Sequence, residues 1–397
     1  MIVGHNASQI SVFTLYIIMF KLNLGNLTPE LFLANYWQKK PQVFRQGFAD
    51  FEDPISADEL AGLASDDMVE SRLVWQKDGE WNAEFGPFQS YDHLGEKDWS
   101  LIVQAVDYWA PPAAKMIEPF RFIPNWRLDD LMVSFASEGG SVGPHIDNYD
   151  VFICQGSGKR HWRVGDRGNL KEFAAHEALL HVEPFETIID VILEPGDILY
   201  IPPGFPHEGI GLEPSMSFSV GFRTNSATDM MSGLADYLID NDLGQQLIED
   251  PHRELAVNPG EINNDDLNLV QNHLQNILDN KNTLSDFAGR YFTTAKHELD
   301  IVIPEQDFDI EEILSTLAEQ PLFKLGGLRS CYLEESIDDG VFYINGELYN
   351  LPPSLIPIIK MFCDKQQIEL DDILKWKNDE EFRAFIVKLI NQGYWYF

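Results

Sequence analysis

From Asp130 to Phe222 the chain is divided into short apolar or alternating runs separated by Gly, Pro and Asp. The runs are LMVSFAS, DVFICQG, KRHWRVG, TIIDVIL, GDILYIP and SMSFSVGF. Runs of this length are typical of strands, and the turn residues between them favour antiparallel pairing. This segment is therefore predicted to fold as an antiparallel sandwich or small barrel.

Two helix starts precede the strand-rich segment. Thr28 is an N-cap residue with Pro29 at the first helical position. Ser56, with Glu59 three residues later, forms a capping box. From residue 70 to residue 125 the pattern is mixed, rich in Trp, Tyr and Gly, and it predicts only a combination of α and β structure.

Beyond Asn225 the strand pattern stops, and apolar residues at three- and four-residue spacing predict two or more helices. The last hundred residues predict a helix over Ile310–Leu317, a hairpin with Asn345-Gly346 at a type I′ turn, and two further helical stretches. Helices with a small hairpin favour a winged-helix-like domain. Because the segment is acidic, we expect it to contact protein or to be structural, and not to bind DNA.

The composition restricts the partners. The chain has 64 acidic and 28 basic residues, a net charge of −36. Such a charge repels nucleic acid and anionic membranes and attracts a cationic partner such as a basic protein, although an acidic surface kept only for solubility explains it equally well. The three cysteines lie far apart without CxxC spacing, which favours a reducing cytoplasm over a disulfide framework or a cysteine zinc site.

The N-terminus carries an apolar run, Ile10–Phe20, that is too short to span a bilayer and has no basic residue before it. We predict that residues 1–21 are an N-terminal extension and that the natural start is Met19. The alternative is a strand or a segment that binds a partner.

The stretch GPHIDNYD places His145 and Asp147 two positions apart, so on a strand both side chains would point to one face. An isolated HxD pair is weak evidence for a metal. His207 follows 62 residues later (207 − 145), within PGDILYIPPGFPH. The spacing G-x5-P-x-G-x2-H resembles the second signature of cupin barrels. The segment from Gly139 to Asp147 resembles the first, with Asp in place of the second histidine.

Two histidines and one carboxylate are the ligands of mononuclear non-haem Fe(II) oxygenases, and they leave three coordination positions open. We therefore predict that His145, Asp147 and His207 bind a metal inside the barrel. Asp150 and Glu208 are alternative carboxylates, but strand alternation points Asp150 away from the shared face. Surface or hydrogen-bonding roles are predicted for the other nearby histidines, His161, His176 and His181.

The run KRHWRVG carries a candidate cation for a co-substrate. Lys159 and Arg160 are neighbours on a strand, so only one of them can face the interior. A guanidinium suits bidentate binding of a dianion such as 2-oxoglutarate. The residues themselves leave open which of the two points inward, and a solvated basic strand end is the alternative.

At these residues the chain resembles the JmjC-type bacterial ribosomal oxygenases, from about Leu22 to Phe397. The most specific stretches are DPISADELAGLA, GPFQSYDHLGE, WSLIVQAV, GPHIDNYDVFICQGSGKRHWRVG, LEPGDILYIPPGFPHEG, SVGFR and GYWYF. Two departures stand out: the family has a further arginine where His161 stands, and it lacks residues 1–20.

The resemblance implies an α+β chain of three parts. These are a JmjC double-stranded β-helix, a cupin-type jelly roll, at 22–225, a helical dimerisation region at 226–300 and a winged-helix-like domain at 301–397. It also implies catalytic iron ligands (His145, Asp147 and His207), 2-oxoglutarate-binding residues (Arg160, Ser134 and Ser219) and substrate-binding residues (Tyr149 and Ser217).

The implied activity is hydroxylation, dependent on Fe(II), 2-oxoglutarate and O2, of the β-carbon of an arginine in ribosomal protein uL16. The enzyme would be a cytoplasmic homodimer. Two alternatives remain open: a cupin-type small-molecule dioxygenase or isomerase, and a non-catalytic, metal-stabilised dimeric scaffold. A tRNA-modifying oxygenase is disfavoured by the negative charge.

Overall fold

The structure, a computed structural model, describes residues 20–397. The predicted Met19 start and all but the last two residues of the predicted extension, 1–21, lie outside the described residues. Within residues 20–397 no helix is both long and apolar enough to cross a membrane.

Fourteen strands build the first half of the described chain. They are β1 (Gln42–Phe44), β2 (Ser71–Lys77), β3 (Glu80–Phe85), β4 (Trp99–Val103), β5 (Leu128–Ala136), β6 (His145–Ile146), β7 (Asp150–Gln155), β8 (Arg160–Gly165), β9 (Glu172–His176), β10 (Leu179–Val182), β11 (Thr187–Leu193), β12 (Ile198–Ile201), β13 (Pro206–Gly211) and β14 (Ser215–Phe222). Eight form an antiparallel sheet in the order β1-β12-β7-β14-β5-β4-β2-β3, and four form a second in the order β11-β8-β13-β6. The predicted sandwich is confirmed.

Short helices cover the outer face of the large sheet. They are α1 (Pro29–Asn35), α2 (Ala57–Leu63), α3 (Val106–Trp109), α4 (Pro111–Ala114) and the 3-10 helices Lys115–Phe120 and Asn125–Arg127. Both predicted helix starts are confirmed, because Thr28 caps α1 and Ser56 forms a reciprocal capping box with Glu59. Phe32 of α1 is fully buried, with ring centroids 5.4 Å from Phe152 and 4.9 Å from Tyr200.

The inner face of the large sheet packs on the small sheet. Val151 and Ile153 of β7 join Trp162 and Val164 of β8 in a compact apolar cluster. Because side chains alternate along a strand, Phe152 belongs to the outer core and its two neighbours to the inner one. The space between the two sheets is therefore closed by apolar residues at one side and can hold a site at the other.

Helices and a small mixed unit follow the jelly roll. The helices are α5 (Ala227–Asp240), α6 (Asn264–Asp279), α7 (Lys281–Thr293), α8 (Ile310–Leu317), α9 (Ile356–Asp364), α10 (Leu370–Ile373) and α11 (Glu380–Asn391), with 3-10 helices Ile337–Asp339, Pro353–Leu355 and Leu374–Trp376. The strands are β15 (Leu322–Lys324), β16 (Ser330–Tyr332), β17 (Val341–Ile344), β18 (Glu347–Asn350), β19 (Gln367–Ile368) and β20 (Trp395–Tyr396). Asn345 and Gly346 join β17 to β18 with φ of 48° and 78°, which confirms the predicted hairpin turn.

The C-terminal unit, which consists of α8 to α11 and β15 to β20, contacts the start of β5. Arg329 donates hydrogen bonds to the carbonyl oxygens of Leu128 (2.7 Å) and Asp129 (2.5 Å). Lys296, just beyond α7, donates to a carboxylate oxygen of Asp129 at 2.7 Å. These contacts bring residues near position 297 to the edge of the jelly roll interior.

Asp107 of α3 is a buried carboxyl group that makes the stability of the fold depend on pH. It accepts a hydrogen bond from the backbone N–H of Leu131 (2.8 Å), but burial and the charge of Asp130 raise its pKa to about 7. A carboxyl group whose pKa rises on folding binds more protons in the folded state, so its contribution to stability declines as the pH rises from about 4 to about 7. We expect the Tm of Asp107→Asn to fall less between pH 5 and pH 8 than the Tm of the wild type.

Differential scanning calorimetry at closely spaced pH values tests this expectation. Asp78→Asn, at the exposed turn between β2 and β3, is the matched control and should keep the wild-type slope. Parallel Tm curves for the wild type and Asp107→Asn would contradict the assignment.

Candidate metal centre and active site

The three predicted metal ligands converge between the two sheets. His145 in β6 is the direct antiparallel partner of His207 in β13, and Asp147 follows β6. The distance from Asp147 Oδ1 to His145 Nε2 is 3.8 Å, and that from Asp147 Oδ2 to His207 Nε2 is 3.4 Å. One ligand atom from each residue lies within 4.8 Å of the other two. A single ion can therefore contact all three.

The strand that carries the HxD pair is shorter than the motif predicts. β6 contains only His145 and Ile146, so Asp147 lies one residue beyond its end. There the Asp147 carbonyl accepts a hydrogen bond from the N–H of Gly204 (2.8 Å), in the turn that precedes β13. This bond ties the two metal-binding motifs together at the main chain.

Backbone carbonyls fix the orientation of both histidines. Nδ1 of His145 lies 2.9 Å from the Gly143 carbonyl, and Nδ1 of His207 lies 3.0 Å from the Phe205 carbonyl. Because a carbonyl oxygen only accepts, each Nδ1 carries a proton, and each Nε2 is the nitrogen that lies towards Asp147. The imidazoles are thus held in the tautomer that binds a metal through Nε2.

The protonation states also suit a cation. Burial and the neighbouring His207 lower the pKa of His145 to about 4, which keeps it neutral at physiological pH. Burial alone would raise the pKa of Asp147, but the two histidines lower it to about 2. Burial alone would lower the pKa of His207, and its interactions with Asp147 raise it. Neutral imidazole and ionised carboxylate are the forms that ligate Fe(II). His145 and Asp147 hold these forms at physiological pH, and a cation beside Asp147 would replace the proton that Asp147 favours on His207, so the donor set fits this metal.

Arg160 is a buried cation in the same cavity. The cavity has a volume of about 460 Å³, and Arg160 and the three ligand residues all line it. The Arg160 side chain is 6% exposed and donates hydrogen bonds to Oγ and O of Ser134 and of Ser215, at 2.8 to 3.1 Å. No carboxylate among residues 20–397 lies within ion-pair distance of it. Lys159, by contrast, is exposed and pairs with Glu194, so it is Arg160 that points inward.

The cavity also contains polar atoms without a partner. Ser217 Oγ and Trp162 Nε1 are buried and form no hydrogen bond within the described chain. Each such group is costly to bury unpaired, by about 1–3 kcal/mol, so their position in the cavity indicates a ligand. Ser134 and Ser219 line the same wall, from β5 and β14.

Tyr149 lines the cavity beside Asp147. Burial and the negative charge of Asp147 raise its pKa well above the usual value, so the phenol keeps its proton. A protonated phenol at this position can donate a hydrogen bond.

The alternative carboxylates are engaged elsewhere. Asp150 is fully buried on the outer side, where it accepts a hydrogen bond from the Tyr200 hydroxyl at 2.6 Å and from Gln38 at 2.9 Å. Glu208 pairs with Arg163. Neither residue lines the metal cavity. For Asp150 this agrees with the expectation that strand alternation points it away from the face of His145 and Asp147.

The remaining histidines are hydrogen-bonded, as predicted. His161 pairs with Asp190 at 2.6 Å, and His176 accepts from the N–H of Ala178. His181 is 2% exposed, bonds to the Val142 carbonyl at 2.9 Å and also lines the metal cavity.

Sequence reasoning missed several lining residues. Trp162 was predictable, because it follows Arg160 by two positions on β8 and so shares its face. Arg72 of β2 lines the cavity and donates to the Ala178 carbonyl at 3.2 Å, but no motif marked it. At the mouth, His297 lies 3.4 Å from Glu70, a contact across more than two hundred residues that no local pattern could reveal.

Comparison with known proteins agrees with this geometry. The JmjC domain family matches residues 115–230, and the ROXA-like winged helix family matches residues 272–396. The fold and the two-histidine, one-carboxylate centre thus place the first half of the chain in the class of JmjC-type oxygenases.

Relatives narrow the class to a family. The ribosomal protein uL16 3-hydroxylase of Escherichia coli (strain K12) is 43% identical over 92% of this chain and 96% of the relative. The X-ray structure of E. coli ycfD has a TM-score of 0.88 at 42% identity, covering 96% of this chain and 100% of that one. The structure of YcfD, a ribosomal oxygenase from Escherichia coli, in complex with cobalt and 2-oxoglutarate has a TM-score of 0.85 at 42% identity, covering 95% and 99%. This chain belongs to the same family of JmjC ribosomal oxygenases as the uL16 3-hydroxylase, which confirms the resemblance of its motifs.

Proposed function

We propose that this protein is an Fe(II)- and 2-oxoglutarate-dependent hydroxylase that modifies the β-carbon of an arginine in ribosomal protein uL16. The observation that best supports the proposal is Arg160, a buried cation that lines the cavity of the three ligand residues and forms no ion pair with any carboxylate of residues 20–397. A buried guanidinium is costly unless an anion meets it, and 2-oxoglutarate is a dianion whose far carboxylate matches its planar donors.

His145, Asp147 and His207 would hold the iron through two Nε2 atoms and a carboxylate oxygen. When bound, iron and 2-oxoglutarate supply the oxidising power: O2 provides one oxygen atom to the substrate C–H bond and one to the succinate formed with CO2. Arg160, with Ser134 and Ser219, would orient the co-substrate.

The protein substrate would enter from the cavity mouth. Tyr149 and Ser217 are the candidate substrate contacts, since Tyr149 can donate a hydrogen bond and Ser217 Oγ has no partner within the described chain. Holding the β-carbon near the metal is the main task left to these residues, because position decides which C–H bond reacts.

Charge supports a basic protein as the partner. The net charge is −36, and the exposed acidic residue Glu70 lines the cavity. A negative surface steers and orients a cationic protein, although charge alone does not choose uL16 among basic proteins.

The activity can be tested by incubating the protein with Fe(II), 2-oxoglutarate, O2 and a uL16 fragment. A +16 Da product that maps to an arginine, with stoichiometric succinate, is expected. Absence of both the product and uncoupled succinate would contradict the enzymatic proposal. O2 consumption that 2-oxoglutarate does not stimulate would favour a small-molecule cupin, and unfolding on metal removal without turnover would favour a scaffold.

We also infer that the protein is a homodimer formed through the helical region 226–300, between the proposed catalytic domain 22–225 and winged-helix-like domain 301–397. On α6, Leu267, Val270 and Leu274 are exposed by 56%, 44% and 53% although they share one helix face. Contiguous exposed apolar residues mark interaction sites, and a second copy of the chain is the partner that we propose.

Charges placed on this face are expected to prevent association. The double variant Leu267→Glu, Leu274→Glu should elute as a monomer in size-exclusion chromatography with light scattering, because each carboxylate would be buried unpaired at the interface. Asn272→Glu with Asn276→Glu adds the same charge to the opposite, exposed face of the same helix and should leave the dimer intact. A monomeric wild type would refute the inference.

A further inference from the structure

We propose that a second cavity, between the α3–α4 segment of the jelly roll and the C-terminal unit, binds a small carboxylate with an apolar body. The cavity has a volume of about 460 Å³, within the range that accommodates one small ligand. The three proposed iron ligands and Arg160 do not line it.

The cation that would receive the carboxylate is Lys324 of β15. Its side chain is buried, at 6% exposure, and Nζ donates to Ser330 Oγ and to the Cys363 carbonyl, both at 3.1 Å. An ammonium group has three N–H donors, and the third has no oxygen or nitrogen acceptor among residues 20–397; the Trp395 ring centroid lies 5.4 Å from Nζ. No carboxylate in that part of the chain lies within 4 Å of Nζ. Burial lowers the pKa of Lys324 to about 8, which leaves it predominantly cationic at neutral pH.

Two further groups on the opposite wall face the same space. Lys115 lines the cavity, is half-buried and has no ion pair in the described chain. The Tyr108 hydroxyl is buried there and forms no hydrogen bond to any described residue. An anion in the cavity would give Lys324, Lys115 and Tyr108 the acceptor that the chain does not provide.

Charge and shape define the chemical class. Five basic and four acidic side chains line the cavity, in a chain where acidic residues exceed basic ones by 64 to 28. Aromatic pairs lie at two sides: Trp126 with Phe292, at 4.7 Å between centroids, and Phe323 with Tyr396, at 6.1 Å. A cavity lined by both aromatic rings and cations suits a flat apolar acid better than inorganic phosphate.

A structural role for Lys324 explains only part of this arrangement. Its bond to Cys363 satisfies a carbonyl at the end of α9, where a cation is favourable. That role requires neither an unpaired Lys115 nor an unpaired Tyr108 hydroxyl on the facing wall.

The experiment is isothermal titration calorimetry of the full chain with naphthalene-2-carboxylate, using naphthalene-2-carboxamide as an uncharged probe of the same shape. The carboxylate is expected to bind at least about tenfold more tightly than the amide, and Lys324→Met and Lys115→Met are each expected to weaken its binding by about tenfold or more. Lys115→Met keeps the test valid if Lys324→Met fails to fold. The exposed Lys375→Met should bind as the wild type does.

Saturating 2-oxoglutarate and the variant Arg160→Met should both leave binding of the naphthoate unchanged. Competition by 2-oxoglutarate would place the probe in the metal cavity and overturn the proposal. The proposal would also be overturned by any of three results: equal affinity for the acid and the amide, full wild-type affinity of Lys115→Met for the acid, or no binding of the acid at millimolar concentration.

Discussion

Replacing His145 with alanine is expected to abolish iron binding and turnover while the jelly roll stays folded. The change removes one of three ligands. Mutation of a group that only orients a metal ligand already lowers metal affinity by about 10–100-fold. Loss of the ligand itself should therefore weaken Fe(II) binding by at least about 100-fold. Anaerobic Fe(II) titration monitors binding, and the +16 Da product of the uL16 fragment monitors turnover.

His161→Ala is the matched control for this variant. His161 is the same residue type, lies one position from Arg160 and pairs with Asp190 outside the cavity. It should bind iron and turn over as the wild type does. Turnover that persists in His145→Ala would show that the ligand assignment is wrong.

Replacing Arg160 with methionine is expected to raise strongly the 2-oxoglutarate concentration needed for half-maximal turnover. The affinity for the metal should stay almost unchanged. Removing one partner of a buried, hydrogen-bonded charge pair costs about 2–5 kcal/mol, which corresponds to roughly 30- to 4000-fold in affinity. Arg160→Lys keeps the charge but loses the planar pair of donors, so an intermediate loss is expected. Steady-state kinetics with varied 2-oxoglutarate, together with Fe(II) titration, separates the two effects.

Lys159→Met is the control, since Lys159 is exposed and pairs with Glu194. The Tm of Arg160→Met without co-substrate should change little, because the loss of hydrogen bonds to Ser134 and Ser215 is offset by removal of an unpaired buried charge. The increase in Tm that 2-oxoglutarate gives the wild type should disappear. An unchanged 2-oxoglutarate requirement would exclude Arg160 as the carboxylate partner.

Local patterns predicted much of the fold and the metal centre. The strand at SMSFSVGF and the helix Ile310–Leu317 coincide with β14 and α8, because their alternation and capping signals are complete within a few residues. Likewise, the HxD and PGD…PxGxxH motifs are each local. Their separation along the chain was sufficient to predict that His145 and His207 lie close together in the fold.

Long-range pairing was not predictable in the same way. The choice between Lys159 and Arg160 depends on which face of β8 meets the large sheet, and that is decided by strands far along the chain. Strands β2, β3 and β4 join the large sheet, and His297 approaches Glu70. Both arrangements depend on contacts between distant parts of the chain, which local patterns do not encode. Sequence patterns indicated the chemistry of the site but not its walls.

The carbonyl groups of Gly143 and Phe205, each two residues before its histidine, have a consequence for how such a site can diversify. They set the imidazole tautomers through the main chain, so no second side chain is needed for that task. Residues around the cavity can therefore be exchanged to accept a different substrate without disturbing how the histidines present their lone pairs. For protein engineering, the metal centre is a fixed module and the surrounding wall is the adjustable part.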